Sequence, residues 1–132
     1  WIANRTPENL QRLIAELAEI AAGIPLRGFD PSVPPAELPA GAILINATSA
    51  GLNPADAPPI DLATLPPLGG VYDMIYNPPE TRLLRDARAS GLRAANGLSM
   101  LVHQGARSLA LWTGADVPVK TMRDTAVHSL RH

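Results

Sequence analysis

The sequence predicts an α/β fold organised around a parallel sheet. Residues 42–48 and 70–76 are apolar runs of strand length and are predicted to be buried strands; each is followed by small, polar or proline residues that end a strand. A helical pattern, a short apolar segment and a longer helical pattern follow the second run. This strand–helix–strand–helix succession is typical of parallel strands, because parallel neighbours must be joined by a crossover.

The first third of the chain is predicted to contain one amphipathic helix. Thr6 is a candidate N-cap and Pro7 suits the first helical position. Apolar residues then recur at helical spacing for about four turns, and Gly23 is the expected end. Residues 24–27 are a candidate short strand, and residues 30–41 form a proline-rich loop.

The rest of the chain adds three helices and one more strand. The predicted elements are a helix at 79–90, a strand at 92–94 and helices at 98–112 and 119–130, with a proline-rich connection at 53–69. Within the helix at 98–112, the residues expected to be buried are Leu101, Val102, Leu109 and Trp112.

Composition narrows the classes of function. Of the 132 residues, 46% are apolar, which is ordinary for a globular domain, and the lack of cysteine excludes disulfides and thiolate sites. A net charge of −1 without a basic cluster argues against a nucleic-acid surface. No apolar run reaches the roughly 20 residues of a membrane helix, and no signal-peptide pattern opens the chain. The sequence therefore predicts a cytoplasmic protein.

Seven short segments, in this order and at this spacing, carry a resemblance to a known family. They are Asn-Arg-Thr (4–6), Asn-Ala-Thr-Ser-Ala-Gly (46–51), Asp-Met-Ile-Tyr-Asn-Pro (73–78), Thr-Arg-Leu-Leu (81–84), Asn-Gly-Leu-Ser-Met-Leu (96–101), and Gln-Gly-Ala (104–106) followed by Trp-Thr-Gly (112–114). Together they resemble shikimate dehydrogenase over essentially the whole chain.

The resemblance implies an enzyme that uses NADP to interconvert shikimate and 3-dehydroshikimate, on the route to aromatic amino acids. It also implies a Rossmann-like, doubly wound parallel sheet in the nucleotide-binding domain. Residues 1–132 look like part of that domain with its C-terminal helices, without its first strand and glycine-rich loop. The family's catalytic Lys and Asp belong to an N-terminal substrate domain, so no catalytic residue is expected here, and Lys120 lies in the wrong region to replace the lysine.

The opening residues suggest that the chain needs a preceding segment. Residues 1–3 look like the end of a strand already in progress, and no Met precedes them. In the usual strand order of a doubly wound sheet, the first strand lies at the centre. Without it, two neighbouring strands each lose a partner, so we expect these residues to sit against further polypeptide. The resemblance also allows a homodimer.

Three consecutive residues are candidates for recognising the 2′-phosphate of NADP. Asn4, Arg5 and Thr6 follow the end of a strand, where the ribose of a dinucleotide would lie, and an Arg suits a phosphate there. A helix cap with a surface Arg is the alternative. The family usually has a second basic residue where this chain has Asn9, a departure that Arg12 would have to compensate.

Four further residues are candidates for the rest of the cofactor site. Thr48 and Ser49 end a central strand beside the expected dinucleotide path, although they equally suit an ordinary strand-to-loop turn. By resemblance, Met74 packs against the nicotinamide, and its alternative is a plain core position. Gly97 resembles the position whose backbone meets the nicotinamide carboxamide, and its alternative is a helix-entry glycine.

Two residues are candidates for binding the substrate. Tyr76 resembles the family's substrate-contacting tyrosine, and Gln104 resembles its substrate-binding glutamine. Gln104 lies seven residues after Gly97, close to two helical turns, so the two positions share a helix face. A buried Tyr that satisfies a local carbonyl and a Gln with a partner inside the protein are the alternatives.

The other titratable residues are predicted to lie outside the chemistry. Asp73 is expected to be a structural, hydrogen-bonded carboxylate and not a general base. His103, His128 and His132 match no family role and have no metal-ligand spacing, so no metal site is predicted. Two other functions remain open at this point: a quinate dehydrogenase relative, and a noncatalytic nucleotide-binding or interaction module.

Overall fold

The computed structural model describes residues 1–130 as strands and helices that alternate along the chain. The strands are β1 (Ile2–Ala3), β2 (Gly28–Phe29), β3 (Ile43–Asn46), β4 (Gly70–Asp73) and β5 (Ala94–Asn96). The helices are α1 (Pro7–Ala18), α2 (Arg82–Ala89), α3 (Leu98–Thr113) and α4 (Val119–Ser129), with a short 3₁₀ turn at Leu62–Thr64.

All strand pairs are parallel, as predicted, but they form two separate sheets. In the first, β1 pairs with β2, and Ile2 is opposite Gly28. In the second, the order is β3-β4-β5, and β4 is hydrogen-bonded on both sides. Among residues 1–130, β1 and β3 each pair on one side only, so each leaves one edge open. The predicted parallel α/β class is confirmed.

The core lies between β4, β5 and α2. Its fully buried members are Val71 on β4 and Leu83, Leu84 and Ala87 on α2. Thr81 starts the helix, because its hydroxyl oxygen accepts a hydrogen bond from the backbone N–H of Leu84 at 3.3 Å. The helix therefore begins three residues later than the prediction of 79–90.

The candidate strand at 24–27 is wrong, since the strand lies at Gly28–Phe29. Gly28 is closely packed: a Cβ there would lie 2.8 Å from side-chain atoms of both Leu10 and Ile14 on α1, which would have to shift. Helix α1 thus packs directly on the strand backbone. A similar shift of two residues moves the third predicted strand from 92–94 to Ala94–Asn96.

Helix α1 is shorter than predicted and is capped differently. It ends at Ala18 after 12 residues, and Gly23, at a φ of 89°, lies beyond it in a turn. Thr6 occupies the N-cap position, with Pro7 next, but its hydroxyl makes no capping hydrogen bond. Instead, the Asn4 side-chain oxygen accepts a hydrogen bond from the Thr6 backbone N–H at 2.9 Å.

Several residues predicted to be buried are exposed. On β3, Ile43 and Ile45 are 67% and 59% exposed, because among residues 1–130 no element covers that face of the strand. On α3, Val102 is buried as predicted and Leu101 is half-buried. Leu109 and Trp112, also predicted to be buried, are exposed.

Candidate functional site

The carboxyl ends of the parallel strands carry the residues singled out in the sequence. Thr48 and Ser49 follow β3, Met74 and Tyr76 follow β4, and Gly97 follows β5 directly. Asn4, Arg5 and Thr6 follow β1 in the other sheet. In open parallel sheets, ligands bind beyond these strand ends, so the sequence patterns converge on the expected edge of the fold.

A cavity of about 1030 Å³ lies between the open edges of β1 and β3. Asn4 and Arg5 line it from the end of β1, and Thr48 and Ser49 line it from the end of β3. Thr6, the third residue of the predicted phosphate-binding group, does not line it. All residues of both edge strands line the cavity.

A second cavity of about 500 Å³ lies beyond the ends of β3 and β4. Met74 and Tyr76 line it together with Thr48 and Ser49, which line the first cavity as well. The two cavities therefore meet at the β3 loop. A continuous surface leads from Arg5 at one end to Tyr76 at the other.

Asp73, the last residue of β4, lies directly beneath this surface and is fully buried. Its carboxylate accepts hydrogen bonds from the Asn46 side-chain amide at 3.0 Å, from the Ile75 backbone N–H at 3.1 Å and from the Thr81 hydroxyl at 2.6 Å. Every buried side-chain polar atom among the described residues has a partner. The prediction of a structural carboxylate is confirmed.

Gly97, at the start of α3, lies against the backbone of Met74 in the loop after β4. A Cβ at this position would lie 2.0 Å from the Met74 carbonyl oxygen, so no side chain fits without a shift of the backbone. The Gly97 N–H donates to the Ile75 carbonyl at 3.2 Å. Gly97 is therefore required by packing, and it lines neither cavity.

Gln104 lies on the exposed side of α3 and lines neither cavity. Its side-chain amide donates to the Leu101 carbonyl of the same helix at 3.0 Å. This is the partner inside the protein that the sequence left open. Tyr76 is 37% exposed, and its hydroxyl has no partner among residues 1–130, so the alternative of a buried, locally satisfied Tyr is wrong.

Arg5 is the cation at the β1 end of the first cavity. Its guanidinium has no hydrogen-bond or ion-pair partner within residues 1–130, so its donors are available to a ligand. Arg12, by contrast, donates to the Asn9 side-chain oxygen at 3.1 Å and lies 3.9 Å from the Glu16 carboxylate. The basic residue expected to compensate for Asn9 is therefore turned along its own helix.

Asp56 anchors the loop that follows β3. Its carboxylate accepts the backbone N–H groups of Asn53 at 3.1 Å and Gly51 at 3.0 Å, and these hydrogen bonds hold its pKa below the ordinary value. The loop carrying Thr48 and Ser49 is thus fixed at its far end by a carboxylate that the sequence reasoning did not single out.

The described part of the chain contains no cluster of side chains suited to a metal ion, and none of its helices has the length and apolar character to cross a membrane. His103 is exposed on α3. His128 lies near the end of α4, whereas His132 lies outside the described residues. No role for these histidines emerges from their positions.

Known proteins similar to this chain belong to the family that its sequence motifs resemble. Residues 97–127 match the family model described as the Shikimate 5'-dehydrogenase C-terminal domain. A shikimate dehydrogenase (NADP(+)) of Methanopyrus kandleri is 40% identical to this chain, and the match covers 98% of this chain. The resemblance to the shikimate dehydrogenase family is confirmed. The chain spans less than half, 46%, of that relative.

Solved structures of shikimate dehydrogenase and its relatives share the fold. A Thermus thermophilus shikimate 5-dehydrogenase in complex with NADP(H) and shikimate superposes with a TM-score of 0.77 at 34% identity, covering 97% of this chain and 45% of that one. A Corynebacterium glutamicum quinate dehydrogenase in complex with NAD gives a TM-score of 0.81 at 27% identity, covering 96% and 45%. The predicted Rossmann-like class is confirmed.

The sequence did not indicate a site role for two buried polar residues, Asn46 and Thr81, although both lie in the motif segments. Both had a usable signal. Asn46 is a polar residue that ends an apolar strand, and Thr81 stands three residues before the buried Leu84, which is the spacing of a helix N-cap. That both donate to Asp73, which the sequence had indicated as a structural carboxylate, could be found only from the tertiary structure.

Proposed function

We propose that this chain is the NADP-binding portion of a shikimate dehydrogenase, which reversibly reduces 3-dehydroshikimate to shikimate in aromatic amino acid (chorismate) biosynthesis. One observation carries the proposal: the two cavities join the predicted phosphate-binding Arg5 to the predicted substrate-binding Tyr76 through Thr48 and Ser49. An extended dinucleotide needs such a path. Names of similar proteins support the same substrate and cofactor.

At the β1 end, Arg5 would bind the 2′-phosphate of NADP. Its guanidinium carries several donors, has no partner among residues 1–130 and faces a cavity, which suits a doubly charged phosphate. Asn4 would help from the same turn, since its side-chain oxygen already orders the Thr6 N–H. Thr6 would contribute only through that backbone geometry.

At the other end, Met74 and Tyr76 would position the reacting parts. Met74 offers an apolar surface to the nicotinamide ring, next to the backbone at Gly97, and Thr48 and Ser49 would flank the cofactor between the two cavities. The free hydroxyl of Tyr76 would hydrogen-bond shikimate. Gln104 would join it only after its amide leaves the Leu101 carbonyl.

NADP, when bound, supplies the hydride acceptor. These residues would orient it against the substrate, and orientation of two reactants can account for much of a rate enhancement. The proton at the reacting hydroxyl would be handled by the Lys and Asp that the family carries in its substrate domain. We propose that activity requires that segment.

The open edges of β1 and β3 support the need for more polypeptide. A parallel strand inserted between them would satisfy both rows of backbone groups and join the two sheets. It would take the part of the 1030 Å³ cavity between β1 and β3 and leave the end at Arg5, Thr48 and Ser49 to the dinucleotide. The helix of a strand–helix unit would cover the exposed Ile43 and Ile45. The segment between that strand and its helix would then complete the dinucleotide site.

Replacing Arg5 tests the proposed cofactor. In the whole protein, Arg5→Ala should raise the KM for NADP about 10- to 100-fold, the loss typical of hydrogen bonds to a charged group, with little change for NAD. Arg12→Ala, which removes a cation of the same type from the neighbouring helix surface, should leave both constants within about twofold. Equal effects of the two substitutions would refute the phosphate role of Arg5.

A paired assay separates the remaining functions. Shikimate-dependent NADP reduction that exceeds quinate-dependent NAD reduction supports the proposal, and the reverse order favours a quinate dehydrogenase. Tight NADP binding without turnover of either substrate would favour a noncatalytic module. The proposed cytoplasmic location and homodimer are tested by fractionation and by sedimentation of the whole protein.

A further inference from the structure

The buried carboxylate of Asp73 connects the two loops that line the second cavity. Asn46, at the end of β3, donates its side-chain amide to the Asp73 carboxylate and also to the Ala50 carbonyl, at 3.0 Å and 3.1 Å. The amide of Ile75, within the β4 loop, donates to the same carboxylate oxygen at 3.1 Å. One oxygen therefore ties the β3 loop to the β4 loop.

The hydrogen bonds around Asn46 have a fixed direction. Its side-chain oxygen accepts from both the backbone N–H and the hydroxyl of Thr48, at 3.0 Å and 2.8 Å. The Thr48 hydroxyl in turn accepts from the Ala50 N–H at 3.1 Å. Because the Asn46 oxygen faces only donors, its amide nitrogen must face acceptors, and Asp73 must act as one of them.

The second carboxylate oxygen of Asp73 extends the same chain into α2. It accepts the Thr81 hydroxyl at 2.6 Å, and that hydroxyl accepts the Leu84 N–H at 3.3 Å. The network thus runs from the β3 loop, through the end of β4, to the start of α2. Thr81 is 2% exposed and Asn46 3%, so water does not compete for these groups.

We infer that Asp73 is a positioning residue: through Asn46, Thr81 and the Ile75 N–H, it sets the separation of Thr48 from Met74 and Tyr76. This rests on the proposed function, which places the cofactor and substrate between those residues. Asp73 has no exposed surface and lines neither cavity, so it acts through its neighbours and does not contact the reactants.

The isosteric substitution Asp73→Asn tests this role in the whole protein. If the new amide N–H replaces the oxygen that faces Asn46 and Ile75, it meets two donors and both hydrogen bonds are lost. If it faces Thr81, the hydroxyl must accept it and its own proton loses its acceptor. In both orientations the network loses the negative charge that strengthens its hydrogen bonds. We expect kcat for shikimate oxidation to fall about 10- to 100-fold, because small displacements of reacting groups have effects of that size. The Kd of NADP should change by a smaller factor than kcat, because Arg5, which would hold the 2′-phosphate, lies outside the network.

Asp116→Asn is the matched control, because it makes the same change of charge at an exposed position between α3 and α4. It should leave both constants unchanged. An Asp73→Asn protein that melts at a lower temperature but keeps wild-type kcat below its transition would overturn the inference, since Asp73 would then be only structural. A rise in KM without a fall in kcat would also overturn it.

A double substitution tests the coupling itself. Asn46→Asp alone places two carboxylates within about hydrogen-bond distance and should impair kcat strongly. Asn46→Asp combined with Asp73→Asn restores one donor facing one acceptor, so the double variant should be less impaired than the product of the two single losses. Losses that simply multiply would contradict the network.

Amide hydrogen exchange separates this inference from the proposed function. In Asp73→Asn, the Ala50 and Ile75 amides should exchange faster than in the Asp116→Asn control, whatever reaction the protein catalyses. If the wild-type protein does not oxidise shikimate but these amides respond, the proposed function fails and the network stands. If catalysis is present and the amides do not respond, the network fails.

Discussion

The two sheets of this fold differ in how completely they are covered. The β3-β4-β5 sheet has a fully buried core against α2, including Leu84, which has no exposed surface. The β1-β2 sheet pairs over two residues per strand, and α1 contains no buried residue. Its ring contact between Trp1 and Phe29, at a centroid distance of 6.2 Å, is close to the surface, since Trp1 is 41% exposed.

This difference shows that the two ends of the proposed dinucleotide site rest on unequal supports. The end with Met74 and Tyr76 is held by a buried core and by the Asp73 network. The end with Arg5 is held by the short β1-β2 strand pair, whose open edge lines the first cavity. A strand inserted in the first cavity would support the Arg5 end as firmly as the Tyr76 end.

The largest expected effect comes from the core of the β3-β4-β5 sheet. Leu84→Ala removes a fully buried side chain and should lower the free energy of unfolding by about 2–5 kcal/mol. Leu13 lies on α1, is 36% exposed and lines the first cavity. While that cavity is empty, Leu13→Ala should lower the free energy of unfolding by less than about 1 kcal/mol. Denaturant titration measures both. A similar loss of unfolding free energy at the two positions would mean that the first cavity is filled.

Gly97 gives the next largest effect. Gly97→Ala forces a Cβ to within 2.0 Å of the Met74 carbonyl oxygen and should cost about 1–3 kcal/mol by displacing the backbone. Gly105→Ala is the matched control on α3, where the nearest atom to a new Cβ is Met122 Cε at 3.5 Å. It should be neutral or stabilise the helix by up to about 1 kcal/mol. If thermal melting showed equal losses, the close approach at Gly97 would be wrong.

Hydrogen exchange compares the two sheets without substitution. The Val71 amide donates to the Arg93 carbonyl within the covered sheet, whereas the Ile2 amide donates to the Arg27 carbonyl in the uncovered one, both at 2.8 Å. Despite equal distances, Val71 should exchange at least about tenfold more slowly, a difference of about 1.4 kcal/mol. Equal protection would remove the distinction between the two sheets.

The smallest effect concerns the pH dependence of the β3 loop. Hydrogen bonds from the Asn53 and Gly51 N–H groups lower the pKa of Asp56 below 3.8 in the folded state, so the folded protein favours its carboxylate. This contribution is complete above the ordinary pKa and is lost as pH falls through the lowered one. Asp56→Asn should therefore lower the melting temperature slightly at about pH 7 but not near pH 2. An NMR titration of the Asp56 carboxyl that shows no lowering would contradict this.

The sequence predicted most elements because their signals are local. Helix α4 and the β4 strand follow from periodicity and flanking residues, and Tyr76 and Arg5 follow from motif positions at strand ends. What could not be predicted depends on contacts between distant residues. The exposure of Ile45 follows from the absence of a covering layer on its face among residues 1–130, and the position of β2 follows from the packing of α1 on Gly28.

In the candidate site, too, the contacts between distant residues could not be predicted from the sequence. The sequence indicated which side chains follow the strands, but the partner of Gln104 is set by its rotamer, and the exposure of Trp112 is set by where α3 extends past the core. The Asp73–Thr81 hydrogen bond joins residues eight positions apart that belong to different elements. Only assembly of the strand, loop and helix brings these two groups together.

The open edges of β1 and β3 also bear on how copies of this chain meet one another. Among residues 1–130, two rows of unpaired backbone groups lie beside the exposed Ile43 and Ile45 and can accept a strand from another molecule. Association through these edges would rise with protein concentration wherever the edges stay open.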